Sequence, residues 1–135
     1  MRIARLLLFL TPLLAVSAGD KKKDTQKEPP TVEIVEIAVV RPAEEHLITI
    51  DGRVRNVGRK PIHRLTLLFE ALAPEGEIVS RQRGAIDEAV LDPDQESEFH
   101  WQMREHPRAV EIRVRAVHGE DVYVEVEKPG PYAIE

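Results

Sequence analysis

From Thr31 onward, apolar and polar residues alternate with a period of two, and no segment sustains a 3.6-residue apolar period. Such a chain has to fold as pleated strands with one face buried. His46 to Arg55 puts Ile48, Ile50, Gly52 and Val54 on one face. The next alternating run puts Leu65, Leu67, Phe69 and Ala71 inward and Arg64, Thr66, Leu68 and Glu70 outward. A short strand follows around Ile78 to Gln82, and Ala85 to Leu91 fits neither helix nor strand. Ser97, Phe99, Trp101 and Met103 then alternate inward, followed by Val110, Ile112, Val114 and Ala116, and last by Val122, Val124 and Val126. Between Thr31 and Val40 the alternation changes phase at Glu36–Ile37, which predicts a bulge or a strand that switches sheets. About seven short strands at this spacing predict an antiparallel β-sandwich, with an open β-barrel as the alternative.

The N-terminal part has a different composition. Arg2 and Arg5, the apolar run Leu6 to Val16 and the small residues Val16, Ser17 and Ala18 have the layout of a signal peptide over residues 1–18. Lys21, Lys22 and Lys23 beyond it blunt the charge asymmetry, so an uncleaved membrane anchor is the alternative. Residues 19–30 are polar, end in Pro29–Pro30 and read as a tether. The body, residues 31–135, has the size of one domain. The chain contains no cysteine, which excludes disulfides, Cys-zinc sites and thiol nucleophiles. The body carries 13 Lys and Arg against 21 Asp and Glu, a balance of −8, which argues against nucleic acid and anionic membranes as partners.

Gly52-x-Val54-x-Asn56, then Pro61 before an alternating strand, then Phe69 to Ser80 and "LDPDQESEF" (Leu91 to Phe99) form a recognisable series. It resembles the FxLYD domain of exported bacterial proteins over about residues 48–103. The sequence departs from that pattern at Glu70-Ala71-Leu72, in place of an aromatic-Asp motif, and at Asp94, where the family prefers Gly. The resemblance implies an immunoglobulin-like β-sandwich and no catalytic residues. The shared residues have fold-building explanations. Gly52 permits a close approach, Asn56 suits a turn, Pro61 sets the backbone before a strand and Gly76 supplies a positive φ.

No residue pattern points to catalysis. Ser80 and Ser97 lie outside any strand-turn-helix elbow. Glu44–Glu45, Asp87–Glu88 and Glu120–Asp121 are adjacent pairs rather than carboxylates facing across a cleft. Asp92, Asp94 and Glu96 alternate as calcium ligands do, but the loop lacks the Gly and the bidentate Glu of such sites. His46, His63, His100, His106 and His118 lack metal-ligand spacing. Arg113 and Arg115 are expected to oppose Glu127 and Glu125 in a cross-strand ladder if the turn has three residues, with Arg113 sliding to Glu125 if it is longer. Ile62, Val117 and Tyr123 are expected outward at one end of a sheet face, as a small patch for protein recognition.

The expectation is therefore a non-catalytic, exported module without a cofactor. It binds an unidentified envelope or secreted protein and has no stable membrane insertion after signal cleavage. A small-ligand or calcium-binding sandwich is the alternative.

Overall fold

The computed structural model describes residues 29–135. The expected signal peptide and all but the last two tether residues lie outside that range.

The chain is all-β and mostly antiparallel. Seven strands have six or more residues: β1 (Thr31–Val40), β2 (Leu47–Asn56), β4 (Leu65–Leu72), β5 (Ile78–Ala85), β7 (Glu96–Arg104), β8 (Glu111–His118) and β9 (Val122–Glu127). Three have two residues: β3 (Ile62–His63), β6 (Val90–Leu91) and β10 (Tyr132–Ala133). One sheet runs β5-β4-β8-β9-β1-β2-β7, with β10 added to β8, and β3 pairs with β6 separately. All its pairings are antiparallel except β1 with β9, which run parallel over Thr31–Glu33.

β1 links the two halves of this sheet, pairing with β9 on one edge and with β2 on the other. Its register shifts between Ile34 and Glu36, at the predicted phase change. The extra residue bends the strand. Ile34 and Val39 therefore both face the core although their spacing is odd. Opposite the bend sits Gly52, paired with Ile37 and with Phe99 of β7. A Cβ on Gly52 would lie 2.3 Å from the Glu36 carbonyl oxygen and 2.6 Å from the Phe99 ring. The absent side chain is what lets the bulged strand and the aromatic ring close over β2.

The sheet curls until its edge strands, β5 and β7, face each other. Side chains rather than a backbone ladder join them: the Trp101 indole lies against Gly84, and its Nε1 donates to Gln82 Oε1 at 3.3 Å. Between the two halves lies one core containing Ile34, Ile48, Ile50, Val54, Leu65, Leu67, Phe69, Phe99, Met103, Ile112, Val114 and Val124. Phe69 and Phe99 meet with ring centroids 5.9 Å apart. This much apolar burial is the dominant favourable contribution in a domain without disulfides.

The alternation predicts burial best in mid-strand. Val110 and Val122, expected inward, are exposed because each flanks or begins a strand where no opposing layer covers it. The segment Ala85 to Leu91 ends β5, buries Ile86 and forms β6. Glu70, expected on the solvent face, is 4% exposed. It does lie on that face, but Arg81 and Arg113 from the neighbouring strands cover it, at 3.4 and 2.8 Å. The expected Arg113–Glu127 rung is absent for the same reason. Arg113 turns toward Glu70, and β9 leaves β8 after the Ala116–Val124 pair to run beside β1.

An ion network ties that departing strand down. Glu33 on β1 accepts from Arg55 at 2.7 Å and pairs with Lys128 at 2.8 Å. The Lys128 hydrogen bond chiefly holds the Glu33 carboxyl below its ordinary range; burial opposes this and Arg55 adds to it. The same bond raises the Lys128 ammonium. A carboxylate with a depressed folded-state pKa contributes stability above the ordinary carboxylate range, and loses it as pH falls through the folded value. A raised lysine contributes below its ordinary range and loses it as pH climbs through the folded value. Lys128→Met is therefore expected to flatten the dependence of Tm on pH at both ends, in melts below about pH 4.5 and above about pH 10.

Candidate functional site

Two adjoining features at one end of the domain stand out, an exposed hairpin face and a basic groove. The hairpin is β8–β9, turned by Gly119–Glu120–Asp121, with Gly119 and Asp121 in the left-handed region at φ 56° and 64°. Val117 pairs directly with Tyr123 across it. Tyr123 is 55% exposed and the neighbouring Val122 51%. Thr66 of β4 continues the row on the other side of Val117. The next rows of this outer face carry Arg83, Leu68 and Arg115, then Arg81, Glu70 and Arg113. Arg83 also reaches Asp121 in the hairpin turn.

Ile62 does not belong to this face. It is 2% exposed, pairs with Leu91 of β6 and packs in the core. Arg64, at φ 53°, separates β3 from β4 and breaks the phase of the alternation, so Ile62 turns inward instead of following the outward positions of β4. The expected three-residue patch thus reduces to the cross-strand pair Val117 and Tyr123; Val122 is exposed too, but it points to the opposite face of β9 with His118.

The groove lies between the entry of β1, the β2–β3 connection and the end of β8. Pro29, Pro30, Thr31, Val57, Gly58, Arg59, Lys60, Pro61 and His118 enclose about 390 Å³. Its basic rim is held from below by Asn56, which is fully buried. The Asn56 Nδ2 donates to the carbonyls of Lys60 and Leu91, both at 2.8 Å, and its Oδ1 accepts from the Gly58 amide at 2.9 Å. Its backbone N–H donates to the Gln95 carbonyl and its C=O accepts from the Asp94 amide. Val57 N–H donates to the Thr31 carbonyl at 3.0 Å, closing the floor of the groove. An asparagine expected simply to suit a turn is thus the tie between the β2–β3 connection and the Leu91–Gln95 turn. Its side chain has both donors and an acceptor, which no apolar residue could supply there.

The "LDPDQ" turn is braced from within as well as by Asn56. Asp92 N–H donates to Gln95 Oε1 at 2.8 Å, and Gln95 N–H to the Asp92 carbonyl at 2.9 Å. Asp94 sits at φ 68°, in the left-handed region where glycine is the least strained residue. Asp92, Asp94 and Glu96 are all exposed, and they do not converge. Among the described residues no group of three His, Asp or Glu side chains is placed to hold a metal ion. Of the histidines, His100 contacts Asp51, His46 lies 3.8 Å from Glu105, and His118 lines the groove. Glu44–Glu45, Asp87–Glu88 and Glu120–Asp121 are exposed. Ser97 is buried and donates to the Glu98 carbonyl at 3.4 Å. Among the described residues no helix is long and apolar enough to cross a membrane.

No family model matches the chain, and neither does any curated protein. Among solved structures, IrmA from Escherichia coli aligns with a TM-score of 0.47 at 9% identity, over 79% of this chain and 98% of its own. β-Glucosidase 3B from Thermotoga neapolitana aligns with a TM-score of 0.39 at 16% identity, over 70% of this chain and 15% of the glucosidase. Likenesses this distant assign neither a family nor an activity.

Proposed function

We propose that the chain is an exported, non-catalytic immunoglobulin-like β-sandwich of the FxLYD kind that binds another envelope or secreted protein through its β8–β9 face. The strand order supports the fold reading. The continuous order β5-β4-β8-β9-β1-β2-β7 is compatible with an immunoglobulin grouping in which β5-β4-β8-β9 and β1-β2-β7 act as two layers joined through β1. The observation that carries the function is Tyr123, a half-exposed aromatic paired with Val117 across the β8–β9 hairpin. Aromatic anchors flanked by aliphatics are enriched where interfaces concentrate their binding energy.

Crosslinking capture from an envelope extract tests this reading, with protein from cells expressing the full chain as bait. A protein held by the wild type and lost with Val117→Ser/Tyr123→Ser, the variant melting within a few degrees of the parent, is the expected result. Both side chains are partly or largely exposed, so the fold tolerates their loss. Equal capture by both baits, or capture by neither, would overturn it.

A further inference from the structure

We propose that the groove beside the hairpin receives an acidic, extended segment of the bound protein, an inference that rests on the protein-binding reading above. The lining carries two cations, Arg59 and Lys60, together with His118, and no carboxylate. That is unusual on a body with a balance of −8. Of the ten other arginines from residue 31 onward, Arg41, Arg53, Arg55, Arg81, Arg83, Arg108 and Arg113 meet carboxylates, while among the described residues Arg64, Arg104 and Arg115 do not. Among the described residues, no carboxylate meets Arg59 or Lys60. Arg64 adds positive charge nearby, its guanidinium beside Gly119 of the hairpin turn.

Shape and rigidity point the same way. Three of the nine lining residues are prolines, which offer flat rings and no N–H donor. The groove therefore recognises its occupant by apolar contact and charge rather than by adding a strand. Asn56 fixes the Lys60 carbonyl and the Gly58 amide, so the basic rim is set before binding and costs little ordering entropy. The groove and the proposed face share the hairpin end from opposite sides: His118, which lines the groove, follows Val117 and points to the other face of β8.

Fluorescence anisotropy with labelled (Glu-Pro)5 tests the inference, since that peptide is acidic and already extended. The expected result is binding of (Glu-Pro)5 but not of (Ser-Pro)5 or (Lys-Pro)5. Affinity should weaken with salt and fall at least about tenfold in Arg59→Glu/Lys60→Glu. The neutral pair Arg59→Gln/Lys60→Gln should fall between. No binding of (Glu-Pro)5, equal binding by parent and variant, or binding of phosphatidylglycerol vesicles instead, would overturn the proposal. The two readings fail separately. Partner capture lost on Val117→Ser/Tyr123→Ser but unchanged in Arg59→Glu/Lys60→Glu removes the acidic segment and leaves the hairpin face. Capture indifferent to both variants removes both.

Discussion

Replacing Asn56 with Ala is expected to destabilise the domain by about 2–4 kcal/mol, with the melting temperature falling by roughly 10–25 °C. The truncation strands the Gly58 amide and the carbonyls of Lys60 and Leu91. A buried polar group left without its partner costs about 1–3 kcal/mol, less where water can enter from the groove. Asn56→Asp should be worse at neutral pH than at pH 4, because a carboxylate cannot donate and would face two carbonyl oxygens. Urea unfolding monitored at Trp101 measures both variants. An Asn56→Ala domain within about 0.5 kcal/mol of the parent would show that the two segments hold without this tie.

Gly52→Ala is expected to cost about 2–3 kcal/mol, the upper part of the range for overpacked cores. One of its two clashes is with a backbone oxygen, that of Glu36, and the β1–β2 ladder restrains its movement. The other is with the Phe99 ring. Phe99→Leu in the Gly52→Ala background should therefore recover part of the loss and not all of it, which a double-mutant cycle measures. Full recovery would place the whole cost on the ring. Gly84→Ala should be milder, because the Trp101 indole it meets is only half-buried and can tilt outward.

These two positions also mark what was legible in the sequence. Gly52 stands in an alternating strand opposite a phase change, and a glycine there already implies a close approach. Asn56 reads as a turn residue, because its burial depends on Leu91 and Gln95, which are brought in by the fold. Leu65, Leu67, Phe69 and Ala71 were readable since β4 has neighbours on both sides and one buried face. Ile62 was not, because a single left-handed residue at Arg64 resets the face that follows. Glu70 follows the period, yet its burial comes from the length of two arginines on adjacent strands. Arg113 kept to the outward face, but its partner was decided by β9 leaving β8 for β1. The groove had no motif to read. Its walls come from residues 29–31, 57–61 and 118, and only the sheet topology makes them one site.

Site-specific photo-crosslinking most directly tests whether the β8–β9 face is where this domain binds. The same photoreactive residue is placed at Tyr123 in one strain and at Gln102, exposed on β7, in another, and both are irradiated in cells producing the full chain. A discrete protein adduct from position 123 and none from position 102 is the predicted result. An adduct from position 102 alone, equal adducts from both, or none from position 123 would contradict it.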